Sequence, residues 1–446
     1  MVYNAQKEIF MKKTSPKLLS GFMELLPAQQ IAFNNMKNTI AQTYEKFGFM
    51  PMDTPVLESA DVLLAKAGGE TEKQIYRFEK GDNDLALRFD LTVPLARFVA
   101  ANQNNLAFPF RRYQIGKVYR GERPQKGRFR EFYQCDIDIV GNEKLDIIYE
   151  AEVAAVIIET LMALNIGDFV MNISNRKLLS GLLQGLGIED KATDVLRIID
   201  KLDKVGGGGM IAMLLAEGIG LPQANAILGF CNIKGSAREV IENLKAFGIA
   251  NDTFNAGISE LAAVVSGLEN FGIPEKFFAI NLSIARGLDY YTGTVYETFL
   301  VGKENVGSIA SGGRYDNLAS AYTDKTLPGV GICIGLTRLF DILRANEMLD
   351  FSKTLCDVLV IPMSPAQIPY AINVANFFRE NNIKTEVFFE EVKFKNKMNY
   401  ANKSQIPFAV ILGEDEEKSG TVTAIAVCGQ SENILLLPRN RQCFQR

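Results

Sequence analysis

The chain has 446 residues and not one histidine or tryptophan. Without an imidazole there can be no Ser-His-Asp triad, no Cys-His dyad and no zinc site with a protein imidazole. Cysteine is scarce and unpaired in spacing. Cys135, Cys231, Cys333, Cys356, Cys428 and Cys443 never stand at C-x-x-C distance, so neither a zinc knuckle nor a redox pair is suggested. Reduced, mostly buried thiols are expected instead. No apolar run approaches the length of a membrane span. The opening "MVYNAQKEIFMKKTSPK" lacks the apolar centre of a signal peptide, which predicts a cytoplasmic protein. No G-x-x-x-x-G-K-[ST] loop is present, and no G-x-G-x-x-G leads from a strand into a helix, so the ordinary nucleotide folds are disfavoured. The formal net charge is −4; any contact with nucleic acid must come from local basic patches. An enzyme of this composition runs its chemistry on arginines, carboxylates and bound ions.

What remains is an ordinary globular composition, 47% apolar and 22% charged, long enough for two or three domains. In residues 27–47, Phe33, Met36, Ile40, Tyr44 and Phe47 recur at spacings of three and four, which predicts a helix with one apolar face. Residues 111–140 predict two antiparallel strands around the turn chemistry of "GERPQKGR", and 145–164 predict a helix. Residues 176–272 are helix-rich, carry "GGGG" at 206–209 as a flexible turn, and read as an inserted helical subdomain. Strands and glycine turns return over 277–338, followed by a helix near 336–349. Beyond "DFSKTLC", a linker, strands "CDVLVIPM", "KTEVFFE" and "PFAVILG" alternate with helices. That alternation predicts a small α/β domain with a mainly parallel sheet. The expected division is 1–175 and 273–349 as two parts of a core, 176–272 as the insertion, and 356–446 as the C-terminal domain.

The predicted hairpin is the most informative stretch. Between Arg111 and Arg130, eight basic residues, among them Lys126, face Glu122 alone. On the outgoing strand, period-two alternation puts Phe132, Gln134, Asp136 and Asp138 on one face and Tyr133, Cys135, Ile137 and Ile139 on the other. One face is core-like. The other offers a ring, an amide and two carboxylates beside a loop of arginines, a layout suited to a triphosphate next to an amino acid. Asp90 in "LRFDLT" adds a carboxylate, or simply caps the helix that follows. Arg338 falls in the first turn of a helix after "GVGICIG", where it can reach a phosphate or form a surface salt bridge. Arg286 in "SIARGLDYYTG" is a charge in a run of small and apolar residues, which calls for an anionic partner. Lys393, Lys395, Lys397 and Lys403 have no acidic residue among them and suit either phosphate contacts or a solvated face.

These stretches resemble class II aminoacyl-tRNA synthetases, and among them the histidyl-tRNA synthetase family, over nearly the whole chain. Residues 21–58 resemble motif 1, "VYRGERPQKGRFREFYQCDIDIVG" motif 2 and "GVGICIGLTRL" motif 3, while "ARGLDYYTG" and "SGGRYD" resemble the two histidine-specific signatures. The resemblance implies an α+β fold, an antiparallel sheet flanked by helices, with a C-terminal α/β domain that reads the tRNA anticodon and a homodimer built through motif 1. It implies ATP-dependent attachment of L-histidine to tRNA(His) through a histidyl-adenylate, with Mg²⁺ held mainly through ATP. Arg120 would hold the α-phosphate and Arg286 the carboxylate and α-phosphate together. Glu122 and Phe132 would contact adenine, and Arg128 and Arg338 the outer phosphates. Asp90, Leu91, Thr92 and Gln134 would bind the histidine on its amino side. Asp138 and Tyr291 would read the imidazole, with Tyr290 lining that pocket. A non-catalytic relative, the regulatory subunit of ATP phosphoribosyltransferase, would show eroded signatures and no C-terminal domain. A general RNA-binding protein would not need Gln134, Asp138 and Arg286 together.

Overall fold

The computed structural model describes residues 14–65, 70–123, 125, 127–284, 290–351 and 354–427. Arg286, Lys126, Cys428 and Cys443 lie outside the described residues. The chain divides into two compact units. The larger takes in Met36–Met348; the smaller takes in the chain from Leu349 onward together with Leu25–Asn35.

The larger unit is built on strands β1 (Met50–Pro51), β2 (Leu57–Ser59), β3 (Arg77–Lys80), β4 (Asn83–Leu87), β5 (Phe110–Tyr119) and β6 (Glu131–Val140). Five more follow: β7 (Phe169–Asn175), β8 (Phe278–Ile280), β9 (Thr294–Leu300), β10 (Ala310–Tyr315) and β11 (Gly329–Gly335). Eight of them form one sheet in the order β1-β5-β6-β11-β10-β9-β7-β8. All its pairs are antiparallel except the two at the edges, β1 with β5 and β7 with β8. β2, β4 and β3 form a separate small sheet.

The predicted hairpin is the pair β5–β6, in register from Phe110 opposite Val140 to Tyr119 opposite Glu131. Its alternation works as read. Cys135, Ile137 and Ile139 are fully buried on the core side, which is what fixes the register, since a one-residue slip would put them on the other face. Helices Ile148–Ala163 and Asp252–Asn270 pack on one another, and the first also packs on β11. Thr337, in the first turn of the helix Leu336–Ala345, accepts from the Tyr133 backbone N–H at 2.8 Å, so this helix is pinned over β6. Two glycines in the central strands are there because nothing larger fits. A Cβ on Gly331 would stand 2.1 Å from Asp138 Oδ1, and one on Gly313 would stand 2.9 Å from the Tyr291 ring.

Between β7 and β8 the chain forms helices throughout Arg176–Asn270, apart from short connections. The four glycines are not a turn there. They lie within Leu202–Ala216, where Gly206 alone leaves helical geometry, with φ 68° and ψ 173°. Only glycine takes up that combination without strain, so the helix is broken at one residue and resumes.

The smaller unit carries β12 (Val358–Pro362), β13 (Thr385–Val387), β14 (Phe408–Leu412) and β15 (Thr423–Ala426) in the order β13-β12-β14-β15. The first three are mutually parallel, as the alternation predicted, and β15 is antiparallel to β14. One of the four candidate lysines is withdrawn from solvent. Lys397 is buried on the helix Phe394–Lys403 and donates from Nζ to the Pro362 carbonyl at 2.7 Å. Lys393, Lys395 and Lys403 are exposed.

Candidate active site

The β5–β6 hairpin, the turn after β4 and strands β9 to β11 enclose two adjoining cavities. The first, of about 130 Å³, is walled by Arg120, Glu122, Arg128, Phe132, Ser308 and Arg338. The second, of about 250 Å³, is walled by Asp90, Thr92, Asp136, Tyr290, Tyr291 and Glu297. Arg120, Gln134, Ser311 and Cys333 border both. A cationic chamber therefore opens beside an acidic and aromatic one.

The cationic chamber follows from the hairpin and the start of the Leu336–Ala345 helix. Arg120 leaves the end of β5, donates from Nε to the Phe89 carbonyl at 3.0 Å, and lies 5.2 Å from the centre of the Phe132 ring. Glu122 is 3.9 Å from Arg120 and 3.4 Å from Arg128. Arg338 donates from Nε to the Gly127 carbonyl at 3.0 Å and from Nη1 to the Ser308 carbonyl at 2.7 Å. Both bonds reach across from the helix to the hairpin loop and to β10's approach, so the guanidinium is held in place rather than free in solvent. Burial, and then the neighbouring charge of Arg128, pulls its pKa below the ordinary arginine value. Like charges crowded in this way are relieved by an incoming polyanion.

In the second chamber the turn after β4 is stitched to β5. The Tyr119 backbone N–H donates to the Arg88 carbonyl at 2.9 Å, and Arg88 Nε donates to the Lys117 carbonyl at 2.9 Å. This stitching places Asp90. Its Oδ1 accepts from the Val93 backbone N–H at 3.1 Å, the capping bond weighed from the sequence, while its buried Oδ2 has no partner among the described residues. Asp90 therefore caps the helix Thr92–Asn102 and faces the cavity as well. Burial raises its pKa to about 6. Leu91 is fully buried and does not line the cavity; its carbonyl accepts from Arg112 Nη2 at 3.3 Å. Tyr290 and Tyr291 meet edge to face, ring centres 4.9 Å apart, with Thr92 lining the same cavity. Burial pushes both hydroxyls above the ordinary tyrosine value.

Asp138 stands differently from the sequence-based expectation. It lines neither cavity. Its Oδ1 accepts from the Tyr315 hydroxyl at 2.8 Å, and its Oδ2 is 2.7 Å from Arg112 Nη2. That second contact is an ion pair out of hydrogen-bond alignment, leaving Oδ2 without a hydrogen bond among the described residues. The charge of Asp138 still acts on Tyr291, on which it is the strongest single charge. The β6 carboxylate that does reach the cavity is Asp136, two residues earlier on the same face, with its pKa raised by burial to about 7 and its Oδ1 without a partner among the described residues. Sequence reading placed Asp136 beside Asp138 on the polar face as one of two carboxylates for the amino acid's side of the layout; the family resemblance gave only Asp138 a role. Cys333, from the middle of β11, was missed altogether, since nothing in "GVGICIG" distinguishes it from a core thiol. Among the described residues no group of three or more cysteine, aspartate or glutamate side chains is disposed to hold a metal ion.

Comparison with known proteins gives the family. The histidyl-tRNA synthetase family model matches residues 21–339, and an anticodon binding domain model matches residues 357–432. The histidine--tRNA ligase of Clostridium tetani is 54% identical over 417 residues, which is 93% of this chain and 94% of that protein. That of Clostridium acetobutylicum is 47% identical over 406 residues, 91% of this chain and 94% of that protein. The crystal structure of histidyl-tRNA synthetase from Nostoc sp. PCC 7120 superposes with a TM-score of 0.86 at 40% identity, covering 95% of this chain and 97% of that one. The antiparallel sheet with its arginine-walled cavity is that of a class II aminoacyl-tRNA synthetase. Within that class, the chain belongs to the histidyl-tRNA synthetase family.

Proposed function

We infer that the protein attaches L-histidine to tRNA(His), using ATP and passing through a histidyl-adenylate. The observation that carries this reading is the shared wall. Arg120 and Gln134 border both the arginine chamber and the acidic one, so a phosphate in the first and a carboxylate from the second would meet at Arg120.

The nucleotide enters as MgATP. Arg128 and Arg338 receive its outer phosphates, Arg120 the α-phosphate, and the Phe132 ring and Glu122 the adenine. Magnesium carried in mainly through the phosphates would offset the charge of the departing pyrophosphate, and Glu122 is the carboxylate on that wall that would stand beside it. The histidine ammonium lies among Asp90, Thr92 and Gln134. Its imidazole lies toward Tyr291, which lines the cavity, with the Asp138 charge behind. Leu91 acts through its backbone. Arg286, outside the described residues, bridges the substrate carboxylate and the α-phosphate.

The substrate carboxylate is ionised at neutral pH and needs no base. Its oxygen attacks the α-phosphorus, the bond to the pyrophosphate oxygen breaks, and pyrophosphate leaves. The cost lies in bringing two anions together, and arginines held by backbone carbonyls supply that positioning and charge without reorganising. The histidyl group then passes to a hydroxyl of the tRNA terminal ribose, releasing AMP. Neutral imidazole has one donor and one acceptor nitrogen; a competitor lacking them would leave buried polar groups unpaired, and sites of that kind discriminate by roughly 10⁴ or more.

The smaller unit contacts the anticodon, the active species is a homodimer joined through the region of residues 21–58, and the protein works in the cytoplasm. No helix among the described residues is long and apolar enough to cross a membrane. Charging of a tRNA(His) transcript with labelled histidine tests the whole reading. Acid-precipitable label should accumulate only with ATP present; no label on tRNA(His) at any enzyme concentration would refute it.

A further inference from the structure

Three polar side chains in the wall between the chambers come from two neighbouring strands. Cys333 on β11 is directly opposite Asp136 on β6 in the register, and Gln134 lies two residues along β6 on the same face. Facing one another across the register, the Cys333 thiol and the Asp136 carboxyl are within reach of a hydrogen bond. Gln134 Nε2 donates to Cys333 Sγ at 3.0 Å. Gln134 Oε1 is buried and has no partner among the described residues, although the residue borders both cavities and is only 8% exposed. An unpaired amide oxygen costs free energy unless a ligand meets it.

We propose that Asp136 and Cys333 form a positioning relay that fixes which end of the Gln134 amide faces the substrate's ammonium group. This rests on the assignment of the second chamber to histidine. A glutamine amide can present either an acceptor oxygen or a donor NH₂, and only the oxygen suits an ammonium. A carboxylate is the strongest acceptor nearby, so it takes the single S–H. The sulfur is then left with lone pairs alone and can only accept. Gln134 must turn its NH₂ toward the sulfur, and its oxygen is left facing the ligand. With no carboxylate at position 136, the S–H would be free to point at Oε1, and the NH₂ would turn toward the ammonium it should attract. The thiol stays protonated in this role, since burial raises its pKa well above the ordinary value. Cys333 is thus a hydrogen-bond relay and not a nucleophile.

The test is equilibrium binding of two ligands to the whole protein at pH 8, above the Asp136 pKa of about 7, where the carboxylate is ionised. L-histidinol keeps the ammonium and lacks the carboxylate; 3-(imidazol-4-yl)propionate lacks the ammonium. Cys333→Ala should weaken histidinol by about tenfold, the range of one hydrogen bond to a charged group, and leave the propionate unchanged. Cys333→Ser, which can both donate and accept, should restore histidinol binding, while Asp136→Ala, which removes the acceptor, should behave like Cys333→Ala. Equal loss for both ligands in Cys333→Ala, or no loss for either, would overturn the relay. Gln134→Ala separates the two levels. If it fails to weaken histidinol, the assignment of this chamber to the amino acid is itself wrong; if it weakens histidinol while Cys333→Ala does not, only the relay fails.

Discussion

Asp90, Asp136 and Asp138 are all buried, and Arg112, buried with them, pairs with Asp138. Burial raises Asp90 to about 6 and Asp136 to about 7, against about 3.9 for a free aspartate. Between those values the folded chain binds protons that the unfolded chain releases. Stability from these groups is therefore present at low pH and is lost as pH rises through about 6 to 7. Asp136→Asn should flatten this dependence for the ligand-free protein: its melting temperature should change less between pH 5 and pH 8 than that of the parent. An unchanged slope would show that Asp136 is not the titrating group. In the cationic chamber, Arg338→Ala should lower ATP-dependent exchange by ~10²-fold, as loss of one charge-stabilising donor does, and raise the KM for ATP, with the KM for histidine unaffected. A shift in the histidine KM alone would place Arg338 in the wrong chamber. At this scale the sequence was informative about residue type and face. It could not show that Asp138 is turned away by Arg112 from β5 and Tyr315 from β10, because period two reveals which face a side chain takes and says nothing of what waits there.

Among the elements, the hairpin and its register could be read from alternation, because Cys135, Ile137 and Ile139 need the core on every second residue. The lysine run could not. Three of its members are solvated while Lys397 is buried against Pro362, a distinction set by helix phase against β12. Lys397→Ala should destabilise the smaller unit by ~1–3 kcal/mol through the lost charged hydrogen bond. Lys395→Ala should stay within about 0.5 kcal/mol and instead weaken tRNA binding. Urea unfolding of the two variants distinguishes them, and equal destabilisation would contradict the assignment. The glycine of "GVG" is set by close approach. Gly331→Ala drives a methyl group onto Asp138 Oδ1 and the Ile137 carbonyl, and should cost about 2 kcal/mol or more in unfolding free energy. A variant as stable as the parent would mean that β6 and β11 can separate there at little cost. The four glycines at 206–209 show the converse limit. Composition pointed to a turn, but only Gly206 departs from helical geometry, because glycine permits a break without dictating its length.

For the whole molecule, the missing histidines narrow the chemistry before any fold is considered, and the structure supplies the alternative: two adjoining chambers, one cationic and one acidic, sharing Arg120 and Gln134. The order of the eight strands was not legible, since β11 pairs with β6 across nearly 200 residues of chain and the intervening helices leave no local mark of that partnership. If this pair of chambers joins ATP to one amino acid only, pyrophosphate exchange measured with each of the twenty amino acids in turn should be ATP-dependent and occur with histidine alone, and it should fall by roughly 10²–10³ in Arg286→Ala. Exchange with a different amino acid, or with none, would contradict it.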